Sequence, residues 1–189
     1  MDFWISDHHL GHVNILKYEP EYRVFADLDE MWAYIKAKHN GVVGPEDRVF
    51  FLGDFAMGKQ ALTVPMVQEL NGYKVLISGN HDATFQQRSK APKMREKYLE
   101  WGFDEVHDGL VHNLSDGTHV LMDHFPYKGD HGEHEERYTE LRPRDEGMWL
   151  IHGHVHSMWK VRGRMINVGV EAWDFTPVSE DQILEIIHG

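Results

Sequence analysis

Five short stretches of the sequence set oxygen and nitrogen donors side by side. They are Asp7 and His9 within "ISDHHLGHVNI", Gly53-Asp54, Gly79-Asn80-His81-Asp82, His124, and His152, His154 and His156 in "HGHVH". The chain carries 15 histidines and no cysteine. Imidazole is mostly neutral at pH 7, which suits metal ligation. Without cysteine there are no disulfides, thiolate sites or cysteine nucleophiles. Carboxylate, amide and imidazole donors suit Mn, Fe, Zn or Co better than a soft ion or an all-oxygen calcium site.

Each stretch alone has a plainer explanation. Gly-Asp after a strand is usually a turn, Gly-Asn-His-Asp is mostly turn chemistry, and an isolated histidine such as His124 is more often a core or surface residue. Their combination and placement point further. Short apolar runs at 3–6, 48–52, 74–77, 119–122 and 149–151 read as buried strands, and each is followed by one of the five stretches. Ligands of α/β sheets gather outside the carboxyl ends of strands, so the five clusters can converge on one point.

Side chains alternate along an extended segment. Asp7 and His9 should therefore share a face while His8 turns away, packed or solvated, and His154 and His156 should point the same way. His12 lies beyond the strand, either close enough to touch the site or a phosphate, or a bystander. His152 is either a hydrogen-bond partner of the ligands or a packed strand residue.

Helices are expected over 28–39, 60–70, 92–101 and 181–187. The first has Asp27 and Glu30 at capping-box spacing, with Leu28, Met31, Trp32 and Ile35 on one face and Asn40-Gly41 as its stop. Ser179 and Gln182 repeat the capping-box spacing before the last. Further strands are expected at 105–107, 110–113, 159–161 and 165–168, with a hairpin around Arg162-Gly163. The order βαβαβα followed by a run of strands gives a mixed-sheet α/β protein, two sheets packed together with helices outside. Nothing divides residues 1–189, so one domain is expected. Residues 127–147 are charged and poor in large apolar side chains. They read as an exposed loop or frayed helix, either merely solvated or gating substrate or contacting another copy.

The formal charge of -12 disfavours long nucleic acid, whose binding relies on clustered Lys and Arg. No apolar run reaches the roughly 18 residues of a membrane span. Asp2 and the early histidines are unlike a signal peptide, so the cytoplasm is the expected compartment.

The ordered set D-x-H, G-D, G-N-H-D, H and G-H-x-H resembles the calcineurin-like metallophosphoesterase superfamily, over residues 5 to about 170. The opening "SDHHLGHVNI" is similar to its small phage and bacterial members. The resemblance implies a four-layer αββα sandwich and two divalent transition ions, Mn foremost, with Fe, Zn or Co as alternatives. It implies one ion on Asp7, His9, Asp54 and His156 and a second on Asp54, Asn80, His124 and His154, with Asp54 bridging. Two such ions about 3.5–4 Å apart share a water, lower its pKa and clamp a phosphoryl oxygen. By the same resemblance His81 contacts the phosphoryl oxygen or protonates the leaving alkoxide, and Asp82 orients it through its other ring nitrogen. Asn80 offers an oxygen to metal and an amide to substrate, and Asn167 and Gly169 position backbone. The implied activity is hydrolysis of small phosphodiesters, cyclic or linear nucleotides among them, by attack of a metal-bridging hydroxide, with phosphomonoesterase activity in addition. The alternatives are a nuclease, a protein phosphatase, or a silent scaffold used for protein contacts. A homo-oligomer is compatible with all of them. Residues 127–147 have no counterpart in the minimal fold of that superfamily.

Overall fold

The computed structural model describes residues 1–132 and 136–189. Its first sheet is built on the apolar runs of the N-terminal half: β1 (Asp2–Ile5), β2 (Arg48–Phe51), β3 (Tyr73–Ile77) and β4 (Glu105–His107), all parallel. The buried apolar stretches Phe3–Ile5, Val49–Phe51 and Val75–Ile77 fit strands covered on both faces. Phe3, Ile5, Val49, Phe51 and Leu76 join one hydrophobic cluster, while Trp4, Phe50, Leu52, Val75 and Ile77 join the other.

The second sheet comes from the C-terminal half: β5 (Gly109–Asn113), β6 (His119–Asp123), β7 (Trp149–His152), β8 (Val161–Arg162) and β9 (Met165–Asn167). Its order is β5-β6-β7-β9-β8, parallel through β6, β7 and β9 and antiparallel at both edges. A short β10 (Val178–Ser179), missed in the sequence, runs antiparallel to β1. Both sheets are therefore mixed. Val120, Met122, Ile151 and Ile166 pack against Trp4 and Phe50 between them, and the Trp4 indole N–H donates to Met122 Sδ at 3.0 Å.

Helices cover the other face of the first sheet. Met31, Trp32 and Ile35 of α2 (Leu28–Val42) and Tyr98 of α4 (Ala91–Glu100) belong to its cluster. Asp27 caps α2 by accepting from Glu30 N–H at 2.9 Å. The helix runs through the expected Asn40-Gly41 stop because the Asn40 side chain is held from outside, accepting from Asn71 N–H and donating to Glu69 O. The single helix expected over 60–70 is instead α3 (Gln60–Thr63) followed by a 3-10 turn, Val64–Glu69, where Pro65 lacks the N–H that an α-helical ladder needs. A four-residue α1 (Ile15–Tyr18) and a 3-10 turn at Val170–Trp173 were not expected. In α5 (Glu180–His188) the Ser179/Gln182 capping box forms, and Ile183 reaches the inter-sheet cluster. The two clusters thus define helix, sheet and sheet layers.

Of the 127–147 stretch, residues 133–135 lie outside the described residues. The rest is irregular, yet its centre is not simply solvated. The side chains of Asp130 and Arg142 are buried, and Tyr138 packs on Phe85 and Phe125.

Candidate functional site

The chain enters the site through strained turns. Asp7, His9, Asp54, His154 and His156 all have left-handed backbone, with φ of 60°, 53°, 52°, 71° and 49°. Such residues cost of order 1–3 kcal/mol each and gather at functional sites. They replace the alternation expected from an extended segment. β1 ends at Ile5, and beyond a single bridge from Ser6 to Gly169 the chain turns at Asp7 and again at His9. His8, between them, points into the core against Phe51 and Phe55. Both its ring nitrogens are without partners, and burial pushes its pKa well below the usual value, so it is a neutral packing residue.

Neighbouring strand ends are laced together: Asp7 N–H donates to Gly53 O at 3.0 Å and His9 N–H to Asp54 O at 2.9 Å. Gly53, at φ +91°, allows this crowding, since a Cβ there would sit 2.5 Å from His124 Nδ1 and 2.6 Å from Gly79 Cα. A Cβ on Gly153 would sit 2.6 Å from Asp7 Oδ2. The glycines of G-D and G-H-x-H are thus close-approach positions.

Two trios result, each with ligand atoms within 4.8 Å of one another: Asp7, His9 and His156, and Asp7, Asp54 and His124. Asp54 Oδ2 lies 3.7 Å from His9 Nε2 and 3.5 Å from His124 Nε2. Asn80 Oδ1 lies 3.0 Å from His124 Nε2. Asp7 is common to both trios, where the resemblance gave that place to Asp54, although Asp54 Oδ2 also faces both sides. His9 Nε2 is buried with no hydrogen-bond partner while directed at these carboxylates. A buried orphan nitrogen among carboxylates is what a metal ligand requires, so the donor set fits divalent cations.

The histidines are oriented from behind, which fixes the outward nitrogen. His124 Nδ1 pairs with Leu52 O at 2.8 Å and His156 Nδ1 with Glu171 Oε1 at 3.1 Å. Glu171 accepts from the buried Arg23 at 2.7 Å, and Arg23 also donates to the carbonyls of Asp7 and His8. Neither Arg23 nor Glu171 was identified from the sequence. Glu171 did leave a trace, a carboxylate inside the apolar "INVGVEAW". Arg23 left none. Asn167 donates to the carbonyls of His156 and Trp159 and accepts from Gly169 N–H, holding this turn.

Two expectations are corrected, and His152 takes the second of the two places expected for it. His154 lies outside both trios, with its Nε2 3.0 Å from Asp130 Oδ1, because a carboxylate from the 127–147 stretch reaches it. Asp82 does not contact the His81 ring. The turn from Gly79 aims its carboxylate at the backbone N–H groups of Gly79, Asp54 and Phe55, so it joins two strand-end loops. His152 is a packed residue beside Trp159, with Nδ1 near Gly153 O and Nε2 unpartnered.

Burial would raise the Asp54 carboxyl, but His124, His9 and His81 outweigh it and hold the pKa well below the carboxylate range. Burial likewise opposes protonation of His124, yet Asp54 carries it to about 10. At His156 burial is outweighed by Glu171, giving about 9. Burial raises Asp7, and lowers His9 and His154, the latter to about 4. Burial, reinforced by Asp54, takes Asp82 up to about 7. A cation bound through Nε2 of His124 and His156 therefore displaces protons.

The trios border a cavity of about 330 Å³ lined by His9, His12, Tyr18, His81, Arg137 and His156, among others. The His81 side chain is 40% exposed there, with Nε2 3.9 Å from Asp54 Oδ2. His12 is 5.9 Å, ring to ring, from His9. A larger hollow of about 410 Å³ beside Ala83, Arg88 and Met94 has no histidine or carboxylate in its lining.

The Gene 66 protein of Mycobacterium phage L5 is 35% identical over 201 residues, spanning 98% of this chain and 93% of that protein. The chain belongs to the Gene 66 protein family. The Gene 66 protein of Mycobacterium phage D29 is 32% identical over a similar span. Protein MJ1445 of Methanocaldococcus jannaschii is 30% identical, with 98% and 90% of the two chains covered. The Gene 66 fold is also similar to the crystal structure of AQ665, a protein of unknown function from Aquifex aeolicus, at TM-score 0.76, 30% identity and 98% coverage of both chains. No protein-family profile matches the chain. An archaeal phosphodiesterase, at TM-score 0.44 and 15% identity, is too distant to inform the Gene 66 site.

Proposed function

We propose that this Gene 66 family member is a dinuclear metal-dependent phosphoesterase of the metallophosphoesterase type, with the four-layer αββα sandwich of that superfamily. Its substrates are small phosphodiesters, cyclic or linear nucleotides among them, with phosphomonoesters in addition. The observation that carries this reading is the meeting of Asp7, His9, Asp54, His124 and His156 in two buried trios, with the His9 nitrogen orphaned among carboxylates.

Asp7, His9 and His156 would hold one ion and Asp7, Asp54, Asn80 and His124 the other, Mn foremost and Fe, Zn or Co as alternatives. Such ions, when bound, lower the pKa of water and neutralise charge on a phosphoryl group. The chain supplies the rest. Strained backbone and the Leu52 and Glu171 contacts fix the imidazoles. His81, half-exposed on the cavity wall, holds a proton at Nε2 for the leaving oxygen, and His12 lines the same wall. The net charge of -12 favours a compact substrate over long nucleic acid. No described helix is long and apolar enough to cross a membrane, and we assign the protein to the cytoplasm as one domain, compatible with a homo-oligomer.

The test is hydrolysis of bis-p-nitrophenyl phosphate with added Mn²⁺. Activity should vanish on chelation and in Asp54→Ala, which should also lose cation binding. A cation-loaded preparation inactive across cyclic nucleotides, dinucleotides and monoesters sinks the reading. Processive cleavage of long single strands would replace it with a nuclease.

A further inference from the structure

Between β6 and β7 three charged side chains form a network beside the candidate ligands. The Asp130 carboxylate is 1% exposed. It accepts from the backbone N–H of His131 and Arg137, from Arg137 Nη2 at 2.8 Å and from Arg142 Nη2 at 3.1 Å, and its Oδ1 lies 3.0 Å from His154 Nε2. Arg142 is buried as well, and its remaining donors go to the carbonyls of Arg137 and Gly129. It is committed to structure.

Arg137 differs. One edge of its guanidinium is held by Asp130, yet its side chain is 43% exposed and lines the cavity that also contains His81 and His12. Two guanidiniums share the Asp130 carboxylate, with Glu136 acting on Arg142 as well, and Glu19 is the carboxylate in the cavity lining. Among the described residues lining the cavity, Arg137 is the one lysine or arginine. In a chain of net charge -12, a local cation at the cavity is what draws an anionic substrate in. The guanidinium is anchored by Asp130, and its Nη2 also lies 2.6 Å from His131 Nε2, so Nη1 is the group it can offer to a phosphoryl oxygen, with little further loss of freedom.

We infer that Arg137, positioned by Asp130, binds the non-bridging phosphoryl oxygens of the substrate and contributes more to the turnover of the dianionic phosphomonoesters that the site takes in addition than to that of monoanionic diesters. The inference rests on the phosphoesterase reading and assigns part of its specificity. Coulomb attraction grows with the charge on the ester, so a terminal phosphate gains more from this contact than an internal one.

The experiment compares the Mn²⁺-loaded protein with Arg137→Gln and Arg137→Lys, using p-nitrophenyl phosphate, bis-p-nitrophenyl phosphate and inorganic phosphate as inhibitor. Arg137→Gln should lower kcat/KM for the monoester about tenfold more than for the diester, the scale of one lost charge-assisted hydrogen bond. The inhibition constant for phosphate should rise by a similar factor, and Arg137→Lys should fall between. An equal effect on both esters with unchanged phosphate inhibition overturns the assignment and leaves the phosphoesterase reading standing. If the unaltered loaded protein hydrolyses neither ester, that reading falls. Calorimetric titration with inorganic phosphate then decides Arg137 alone, and equal affinity in Arg137→Gln overturns it.

Discussion

His81 and Asp54 meet at the cavity wall but are held differently. Asp54 is buried, accepts the His81 backbone N–H at 2.8 Å and faces three imidazoles, whereas the His81 ring stands half in solvent. Removing the ring should therefore leave cation binding intact and remove a proton donor. His81→Ala is expected to bind Mn²⁺ like the unaltered protein while turnover falls about 10²- to 10⁴-fold. Equal loss of both in a calorimetric and kinetic comparison would make His81 a ligand instead. At this scale the residues whose donor type the sequence paired with a strand end, Asp7, His9, Asp54, His124 and His156, are brought together by the fold. The sequence failed for partners set by tertiary packing. Glu171 and Asp130 reach His156 and His154 from distant segments, and no local spacing encodes such a contact.

The elements position these residues by ending early. Strands β1, β2 and β3 stop where left-handed or glycine backbone takes over, and their loops press together at Gly53 and Gly79. In Gly53→Ala a methyl group would collide with His124 Nδ1 and with backbone at Gly79, at a φ that alanine resists. We expect destabilisation of roughly 2 kcal/mol or more, a fall in Tm of about 4–8 °C for a chain of this size, and weaker cation binding as His124 shifts. A melt equal to that of the unaltered protein would show that the loops yield. The strands and α2 were legible because uninterrupted apolar runs and 3.6-residue periodicity are strong signals. The 60–70 helix was misjudged because periodicity does not register how Pro65 tightens the turn. The two-residue β10 is too short to carry a pattern.

Across the whole molecule, stability should depend on pH through a group remote from the candidate metal ligands. His39 of α2 stacks on Phe51 and pairs with Asn71 O, with Nδ1 left unpartnered. Burial, only partly offset by the Asn71 carbonyl, lowers its pKa to about 4. Below about pH 6.5 the unfolded chain accepts a proton that the fold refuses, so stability is lost as pH falls from 6.5 through 4. At about 1.4 kcal/mol per unit this amounts to about 3 kcal/mol. Denaturant titrations between pH 7 and 4 should show a shallower decline in His39→Gln, and an unchanged slope would exclude His39 as the source. The pairing of two mixed sheets followed from the order of elements. The tie between them at Ser6 and Gly169 did not, since it depends on how far each sheet turns.

Arg23 has a consequence for the order in which the protein becomes competent. Its guanidinium joins the carbonyls of Asp7 and His8 to the carboxylate of Glu171, 148 residues downstream of it. Contacts across such long loops form late in folding. During synthesis, a ribosome that has released only the first 165 residues has already delivered all the histidines of the five clusters. The chain still lacks the carboxylate that holds His156 and balances Arg23. Cation binding at the trios would therefore have to wait until the chain has emerged past Glu171, later than the histidines that supply its donors.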